Sequence, residues 1–151
     1  MKVTTTKNAF TMIELIFVIV ILGILAAVAI PKLSATRTDA IVSKMATNLN
    51  TIISDAGSYY TSKGTLDKWN TITNVQTNTD ATTKTVDTTI ITTPVYLYHD
   101  TFQCIKLVGI EDGNLTISKG SDSSDSVCSA VQASQKANLR TYKFGGSSVV
   151  Y

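Results

Sequence analysis

Residues 10–31 read FTMIELIFVIVILGILAAVAIP, and this stretch decides the fold. From Leu15 to Ile30 no side chain is charged or strongly polar. A helix of about 20 such residues is about 30 Å long, which is the thickness of the hydrocarbon core of a bilayer. Lys2 and Lys7 precede the apolar stretch. We therefore expect the chain before it to stay in the cytoplasm and the chain after it to face outward.

Three interpretations of this segment compete, and Glu14 separates them. An ordinary secretory signal peptide would be cut after Ala29, because Ala27 and Ala29 form the small-x-small pattern of its cleavage site. A plain membrane anchor would not be cut, whereas a third kind of leader is removed before the apolar stretch. A carboxylate at the front of an apolar run opposes insertion, and neither a signal peptide nor a plain anchor gains from it. A local alternative is that Thr11 and Glu14 form a capping box at the helix start.

Residues 7–15, KNAFTMIEL, resemble the processing site of prepilins, the precursors of type IV pilins and type II secretion pseudopilins. The resemblance implies that a prepilin peptidase cuts between Ala9 and Phe10 and that the new amine of Phe10 is methylated. Glu14 then becomes the fifth mature residue, the position that the family uses for assembly and register. This chain has Ala9 where the family usually has glycine.

The same resemblance extends over residues 21–31, where Gly23 and Pro31 fall at the helix-weakening positions of the family. It implies local unwinding between these two residues in a filament. Proline also lacks an N–H group and clashes with the preceding turn, so a simple kink at Pro31 is equally compatible with the sequence.

The physics of an apolar phase supports a role for Glu14 between subunits. Cutting after Ala9 leaves a charged α-amine on Phe10, close to the apolar phase. The Glu14 carboxylate can face that amine on a neighbouring helix that is shifted along its axis. Each charge is costly alone and tolerable when it is paired. A head-to-tail contact of this kind does not close and therefore gives an open helical filament.

Beyond Pro31 the apolar residues recur at helical spacing and predict an amphipathic continuation of the same helix to about Ser62. They are Ile41, Met45, Leu49, Ile52, Ala56 and Tyr59. Segments rich in strand-forming residues follow, with a hairpin turn at 111–114. The predicted strands are 95–98, 102–110, 115–118, 142–144 and 148–151. The fold class is α+β: a long N-terminal helix, with a membrane half and an amphipathic half kinked at Pro31, packed on a small antiparallel sheet.

The predicted organisation has five parts. They are a prepilin leader (1–9), a transmembrane and polymerisation helix (10–30), an amphipathic spine helix (31–62), a Thr-rich connecting loop (63–94) and an antiparallel sheet with one disulfide (95–151). Residues 71–93 hold 11 threonines in 23 positions, which predicts a surface connection with one short strand over 88–92. Trp69 is predicted to anchor this connection to the core.

The chain has two cysteines, Cys104 and Cys128, and both lie in the C-terminal half. An even count after an export-type N-terminus predicts one disulfide formed in an oxidising compartment. Two free buried thiols are the alternative.

Motifs for catalysis, a cofactor or nucleic-acid binding are missing from the sequence, so we expect neither an enzyme nor a cofactor nor direct nucleic-acid binding. The single histidine, His99, is expected on the surface at a strand end. Asp122 and Asp125 are weak candidates for Ca²⁺ binding, with a solvated polar loop as the favoured alternative. Asn114 begins an N-x-T sequon at the predicted hairpin, where a plain turn also explains the residues.

The sequence therefore predicts a structural subunit of a type IV pilus-like filament, used for protein secretion, DNA uptake or adhesion. The resemblance implies a single-pass subunit of the bacterial inner membrane with a periplasmic C-terminal domain, assembled into a periplasmic or cell-surface filament. Its expected partners are other pilin-like subunits in homo- and hetero-oligomers, a prepilin peptidase and an inner-membrane assembly platform. The alternative is a secreted, non-catalytic binding domain released by ordinary signal-peptide cleavage.

Overall fold

The computed structural model describes residues 10–79 and 90–145, which fall into two compact units divided between Thr38 and Asp39. The helices are α1 (Met12–Lys63), α2 (Trp69–Ile72), α3 (Ser126–Ser134) and a short 3-10 helix (Lys136–Asn138). The strands are β1 (Val95–His99), β2 (Phe102–Ile110), β3 (Asn114–Lys119) and β4 (Thr141–Lys143). The leader (1–9) and the predicted strand over 148–151 lie outside the described residues.

One helix, α1, contains both the apolar stretch and its amphipathic continuation, as predicted. Pro31 lies inside this helix, which is continuous through it. The second half buries the predicted face: Met45, Leu49, Ile52 and Ala56 are buried, and Ile41 and Tyr59 pack against them at its two ends. Each large apolar side chain that is fully buried stabilises the fold by about 1.5–3 kcal/mol, which is why the face follows the 3.6-residue period.

The four strands form one antiparallel sheet in the order β1-β2-β3-β4, which confirms the predicted α+β architecture. The predicted turn closes the β2–β3 hairpin, where Ile110 pairs with Asn114 and the Gly113 amide donates to the Ile110 carbonyl at 3.0 Å. The last pair of strands is short, with Thr116 opposite Thr141. Along β3 burial alternates, because successive side chains of a strand point to opposite faces.

One hydrophobic core joins the second half of α1 to the sheet and to α3. Its fully or nearly fully buried members from the sheet are Val95, Leu97, Cys104, Ile105, Leu107, Leu115 and Ile117. Val127, Cys128 and Val131 contribute from α3. Most of the buried strand residues share one face of the sheet, and on β2 the consecutive residues Cys104 and Ile105 are both fully buried.

The connection between α1 and β1 is more deeply packed than its composition predicts. Trp69 is fully buried and its Nε1 donates to the Thr93 carbonyl at 3.3 Å, which confirms its role as an anchor. Thr77 is fully buried as well, although threonine-rich segments are expected at the surface. Ile90 makes a single bridge with Lys68, and residues 91–93 form a turn, so the described part of the predicted strand over 88–92 is not a strand.

This packed connection also covers one edge of the sheet. Asn78 and Tyr96 exchange both backbone hydrogen bonds, at 3.2 and 2.8 Å, so the outer side of β1 is paired at that point. At the opposite edge β4 has only three residues and, within the described chain, pairs with β3 alone. Residues 71–79 are held in place by this pairing and by the fit of Trp69, which composition alone does not reveal.

The β2–β3 turn contacts both the end of α1 and the segment that follows it. The Glu111 carbonyl accepts hydrogen bonds from the Leu66 amide at 3.1 Å and from the Thr65 hydroxyl at 3.2 Å. Gly113 has a positive φ of 86°, and a Cβ at this position would overlap the ring of Tyr60 on α1. The turn therefore needs glycine for two reasons, backbone conformation and close approach of an aromatic ring.

A disulfide joins Cys104 on β2 to Cys128 on α3, as predicted, with 4.6 Å between their Cα atoms. Both residues are fully buried. Gln132 donates from Nε2 to the Cys104 carbonyl at 2.9 Å, so α3 is tied to β2 by a covalent bond and a buried hydrogen bond. The alternative of two free thiols is wrong for this structure.

We predict that Gly113→Ala lowers the free energy of unfolding by about 2–4 kcal/mol, because a left-handed backbone and overlap with Tyr60 both penalise the added methyl group. Gly64→Ala is the matched control: Gly64 also has a positive φ, of 74°, but an added Cβ meets nothing within 4 Å. It should cost only about 1–2 kcal/mol. Urea titration of the full chain in detergent, followed by the fluorescence of Trp69, measures both. Equal losses in the two variants would show that Tyr60 moves aside freely.

We predict that removal of the disulfide lowers the free energy of unfolding by about 3.5 kcal/mol, because a loop of about 25 residues is no longer closed in the unfolded chain. The same urea titration compares the native chain with and without a phosphine reductant. The double variant Cys104→Ala and Cys128→Ala should not respond to the reductant. Free alkylation of both cysteines in the unreduced native protein would contradict the crosslink.

Candidate functional site

The start of α1 carries the candidate assembly residues, and here Thr11 and Glu14 form a reciprocal capping box. The Thr11 amide and hydroxyl both donate to Glu14 Oε2 at 2.8 Å, and the Glu14 amide donates to Thr11 Oγ1 at 3.3 Å. These contacts satisfy amides at the helix start that have no partner within the helix. The predicted local role of Glu14 is therefore present in the single chain. Both side chains are exposed, so the carboxylate also remains accessible to a second chain.

The first half of α1 presents apolar side chains on every side. Large apolar residues from Phe10 to Leu33 are exposed, with Phe10 at 89% and Leu33 at 74%. One helix among the described residues, α1, is long and apolar enough to cross a membrane, and the apolar window that qualifies it has no part buried in the protein. An exposed apolar surface of this size marks a membrane or protein contact.

Gly23 and Pro31 lie within this exposed part of α1. A Cβ added at Gly23 would meet nothing within 4 Å, so packing inside the described chain does not require glycine there. Pro31 lacks the N–H group that would normally bond one turn back along the helix. Their predicted role as weak points of the helix stays a prediction.

The predicted polar loop 120–126 binds backbone groups through its carboxylates. Asp122 Oδ2 accepts from the Gln103 amide at 2.8 Å, so it fastens the loop to β2. Asp125 caps the start of α3, where its Oδ1 accepts from the Cys128 amide at 2.8 Å. Partial burial opposes ionisation of Asp125, but hydrogen bonds from the Cys128 amide and from His99, together with the electrostatic attraction of His99, hold its pKa below the ordinary value. Asp122 and Asp125, the weak Ca²⁺ candidates, thus accept hydrogen bonds from different backbone amides. Ca²⁺ binding by this pair stays a prediction.

His99 lies at the end of β1, as predicted, but it is not a simple surface residue. Its side chain is only 20% exposed, and Nδ1 is 3.1 Å from Oδ1 of Asp125. The second ring nitrogen is 4.0 Å from Asp100 Oδ2. The sequence did not suggest this contact, because 25 residues separate His99 from Asp125. The sequence offers a signal only for the N-cap role of Asp125. This residue lies three positions before Cys128, which is the usual spacing between an N-cap residue and the amide that it binds.

Asn114, the candidate for glycosylation, is the first residue of β3 and is half-buried. The Thr116 hydroxyl of the same sequon lies 3.0 Å from the Thr141 hydroxyl on β4. The sequon is therefore part of the paired sheet as well as of the turn. Modification of Asn114 stays a prediction.

The sequence matches a known family over its N-terminal segment. The family model of the prokaryotic N-terminal methylation motif matches residues 5–30, which include Ala9, Phe10, Glu14 and Gly23. No curated protein and no solved structure matches the chain. The motif occurs in a structural rather than a catalytic family, and it implies assembly with other pilin subunits after processing by a prepilin peptidase. An N-terminal segment with this motif, followed by an exposed apolar helix, identifies residues 5–30 as the prepilin signature of type IV pilins and pseudopilins.

Proposed function

We propose that the protein is a structural subunit of a type IV pilus-like filament, which polymerises through the first half of α1 after its leader is removed. One observation carries the proposal: the prepilin signature opens a helix whose apolar side chains are exposed on every side. A helix of this kind needs an apolar surrounding, and a bilayer provides one for a single subunit. In a filament the helices of neighbouring subunits provide it instead.

Glu14 gives this assembly its register. In the single chain its carboxylate is held by the Thr11 amide and hydroxyl and remains exposed. Cleavage after Ala9 would place a positive amine on Phe10, near the apolar phase. Pairing of that amine with Glu14 of a neighbouring subunit neutralises both charges where water is scarce, and it is satisfied at one axial shift only.

The remaining parts fit an exported structural domain. The amphipathic half of α1 is the spine on which the sheet packs, and the disulfide suits a compartment that is oxidising. We infer that the C-terminal unit is periplasmic, since Lys2 and Lys7 favour a cytoplasmic N-terminus. The subunit acts without catalysis, alongside other pilin-like subunits, a prepilin peptidase and an inner-membrane assembly platform. Protein secretion, DNA uptake and adhesion are the processes that such a filament serves.

We predict that membrane fractions contain a chain that begins at Phe10, with one added methyl group on its amine. Intact-mass spectrometry and N-terminal peptide mapping of the subunit measure both changes. The variant Ala9→Gly is the matched control, because it restores the residue usual in the family and should be processed at least as completely. A soluble species that begins at Ile30 would instead establish the secreted binding domain.

We predict that Glu14→Val abolishes filaments or disrupts their register while the subunit still inserts in the membrane. Removing a charge from an apolar stretch eases insertion, but the Phe10 amine of the neighbouring subunit is left without its partner. The measurement is the ratio of subunit in a sheared filament fraction to total membrane subunit, with cleavage after Ala9 confirmed in the variant.

Thr11→Val is the control that separates pairing between subunits from helix capping. It removes the hydroxyl of the capping box and leaves the Glu14 carboxylate in place, so filaments should still form. If Thr11→Val and Glu14→Val lose filaments equally, the capping box is the function of Glu14. Normal filaments from Glu14→Val would show that no charge pair sets the register.

A further inference from the structure

An open groove lies on one side of α1 where the apolar segment ends. Its lining consists of Ile30, Leu33, Ser34, Thr36 and Arg37. Ile30, Leu33 and Arg37 follow one another at spacings of three and four residues, so they share one side of the helix. The groove thus has an apolar end, two hydroxyl groups and a guanidinium group. This combination fits a ligand with an apolar chain at one end and an anionic group at the other.

We propose that α1 binds one anionic phospholipid in this groove, at the surface where the helix leaves the bilayer. The phosphodiester lies on Arg37, and an acyl chain lies along Ile30 and Leu33. The inference rests on the proposed insertion of the subunit in a membrane before assembly. A lipid bound here holds the helix at one depth, and it thereby fixes the depth of Glu14, about 24 Å back along the axis from Ile30.

The position of Arg37 along the helix matches the phosphate layer of a bilayer. Residues 12–30 of α1 extend about 30 Å, the thickness of the hydrocarbon core. The polar layer of each leaflet adds about 5–8 Å. The Cα atom of Arg37 lies about 10 Å beyond that of Ile30. Because long helical side chains lean back by about one turn, or about 5 Å, the guanidinium group falls among the phosphates.

The charge around the groove favours a lipid with a net negative charge. Between Leu15 and Thr38 the only charged residues are Lys32 and Arg37. Both are exposed, and neither forms an ion pair within residues 10–79 and 90–145. A guanidinium group binds phosphate oxygens through two parallel hydrogen bonds, whereas a second cation nearby repels the ammonium group of a zwitterionic lipid. An anionic headgroup therefore supplies the counter-charge that this end of the helix needs.

The two hydroxyl groups of the groove extend its polar end. The Thr36 hydroxyl donates to the Leu33 carbonyl at 2.9 Å, and the lone pairs of its oxygen can accept a further hydrogen bond. The Ser34 hydroxyl can donate to a phosphate oxygen. A headgroup that combines a phosphodiester with hydroxyl groups of its own matches both. We therefore choose phosphatidylglycerol as the probe.

The test titrates the untagged full chain in detergent with dioleoyl phosphatidylglycerol and, separately, with dioleoyl phosphatidylcholine. Native mass spectrometry counts the lipids bound to each chain and measures the two dissociation constants. Because the acyl chains are the same, a difference in affinity reports the headgroup alone. We expect one phosphatidylglycerol molecule per chain, bound at least about fivefold more tightly than phosphatidylcholine. Equal affinities for the two lipids would overturn the proposal.

Glycerol 3-phosphate separates a lipid site from a site for a free phosphate. It carries an anionic phosphate but no acyl chain, so it should not displace phosphatidylglycerol at the same concentration. Leu33→Ser removes an apolar side chain from the groove and should weaken the binding of both lipids. Displacement by glycerol 3-phosphate, together with unchanged lipid binding in Leu33→Ser, would show that no acyl chain occupies the groove.

Two charge variants test whether Arg37 binds the headgroup. Arg37→Gln should weaken phosphatidylglycerol binding about fivefold or more. Lys32→Gln is the matched control: it removes one charge from the same end of the helix, but Lys32 is outside the groove, about 140° around the axis from Arg37. Screening should limit its effect to about twofold. Lys2 and Lys7 are present in every variant, so equal losses in the two variants would show diffuse attraction and overturn the site.

Flotation with vesicles of phosphatidylcholine alone separates this inference from the proposed function. We expect the chain to float with them, because the apolar segment of α1 needs no anionic lipid to insert. A chain that floats but shows no preference for phosphatidylglycerol in the titration would overturn the lipid site and leave the membrane subunit intact. A chain that floats neither with these vesicles nor with an equal mixture of the two lipids would overturn both.

Discussion

The structure depends on one constraint: a single continuous helix must satisfy two different surroundings. From Met12 to Ile30 nearly every side chain is apolar, and nothing in the described chain covers these side chains. After Asp39 the apolar residues keep to one face, and the sheet and α3 bury that face. The apolar side chains of the first half need a membrane or another protein to cover them. Those of the second half are buried in the core of the protein itself. The hairpin, the disulfide and the packed connection all serve that second half.

Local and periodic signals made most of this architecture predictable. The 3.6-residue spacing of apolar residues from Ile41 to Tyr59 predicts the buried face of α1. The turn residues at 111–114 predict the position of the β2–β3 hairpin. The prepilin signature was readable because its information is contiguous in residues 5–30. In each case the physical cause lies within a few residues of its effect, so the sequence alone carries it.

Contacts between distant segments explain what the sequence left open. Thr77 is buried because the segment around it pairs with β1 and follows the anchor Trp69, a fit that composition cannot express. His99 is half-buried because the chain returns at Asp125 to start α3 beside it. The number of threonines in a segment, or the position of a residue at a strand end, describes that segment alone. Predictions from either feature therefore underestimate the burial of Thr77 and His99, which contact other segments.

The way in which the two edges of the sheet are paired or shortened affects how copies of this protein would contact one another at close range. Unpaired strand edges attract other strands, and a filament would bring many copies of the same sheet close together. Here Asn78 occupies a position on the outer edge of β1, and β4 offers only three residues, the last of them Lys143. Within residues 10–79 and 90–145, the sheet therefore offers a neighbouring copy little open backbone with which to form a mixed sheet. In the proposed filament, these short or partly paired edges would favour growth through the helices over amyloid-like stacking of the sheets.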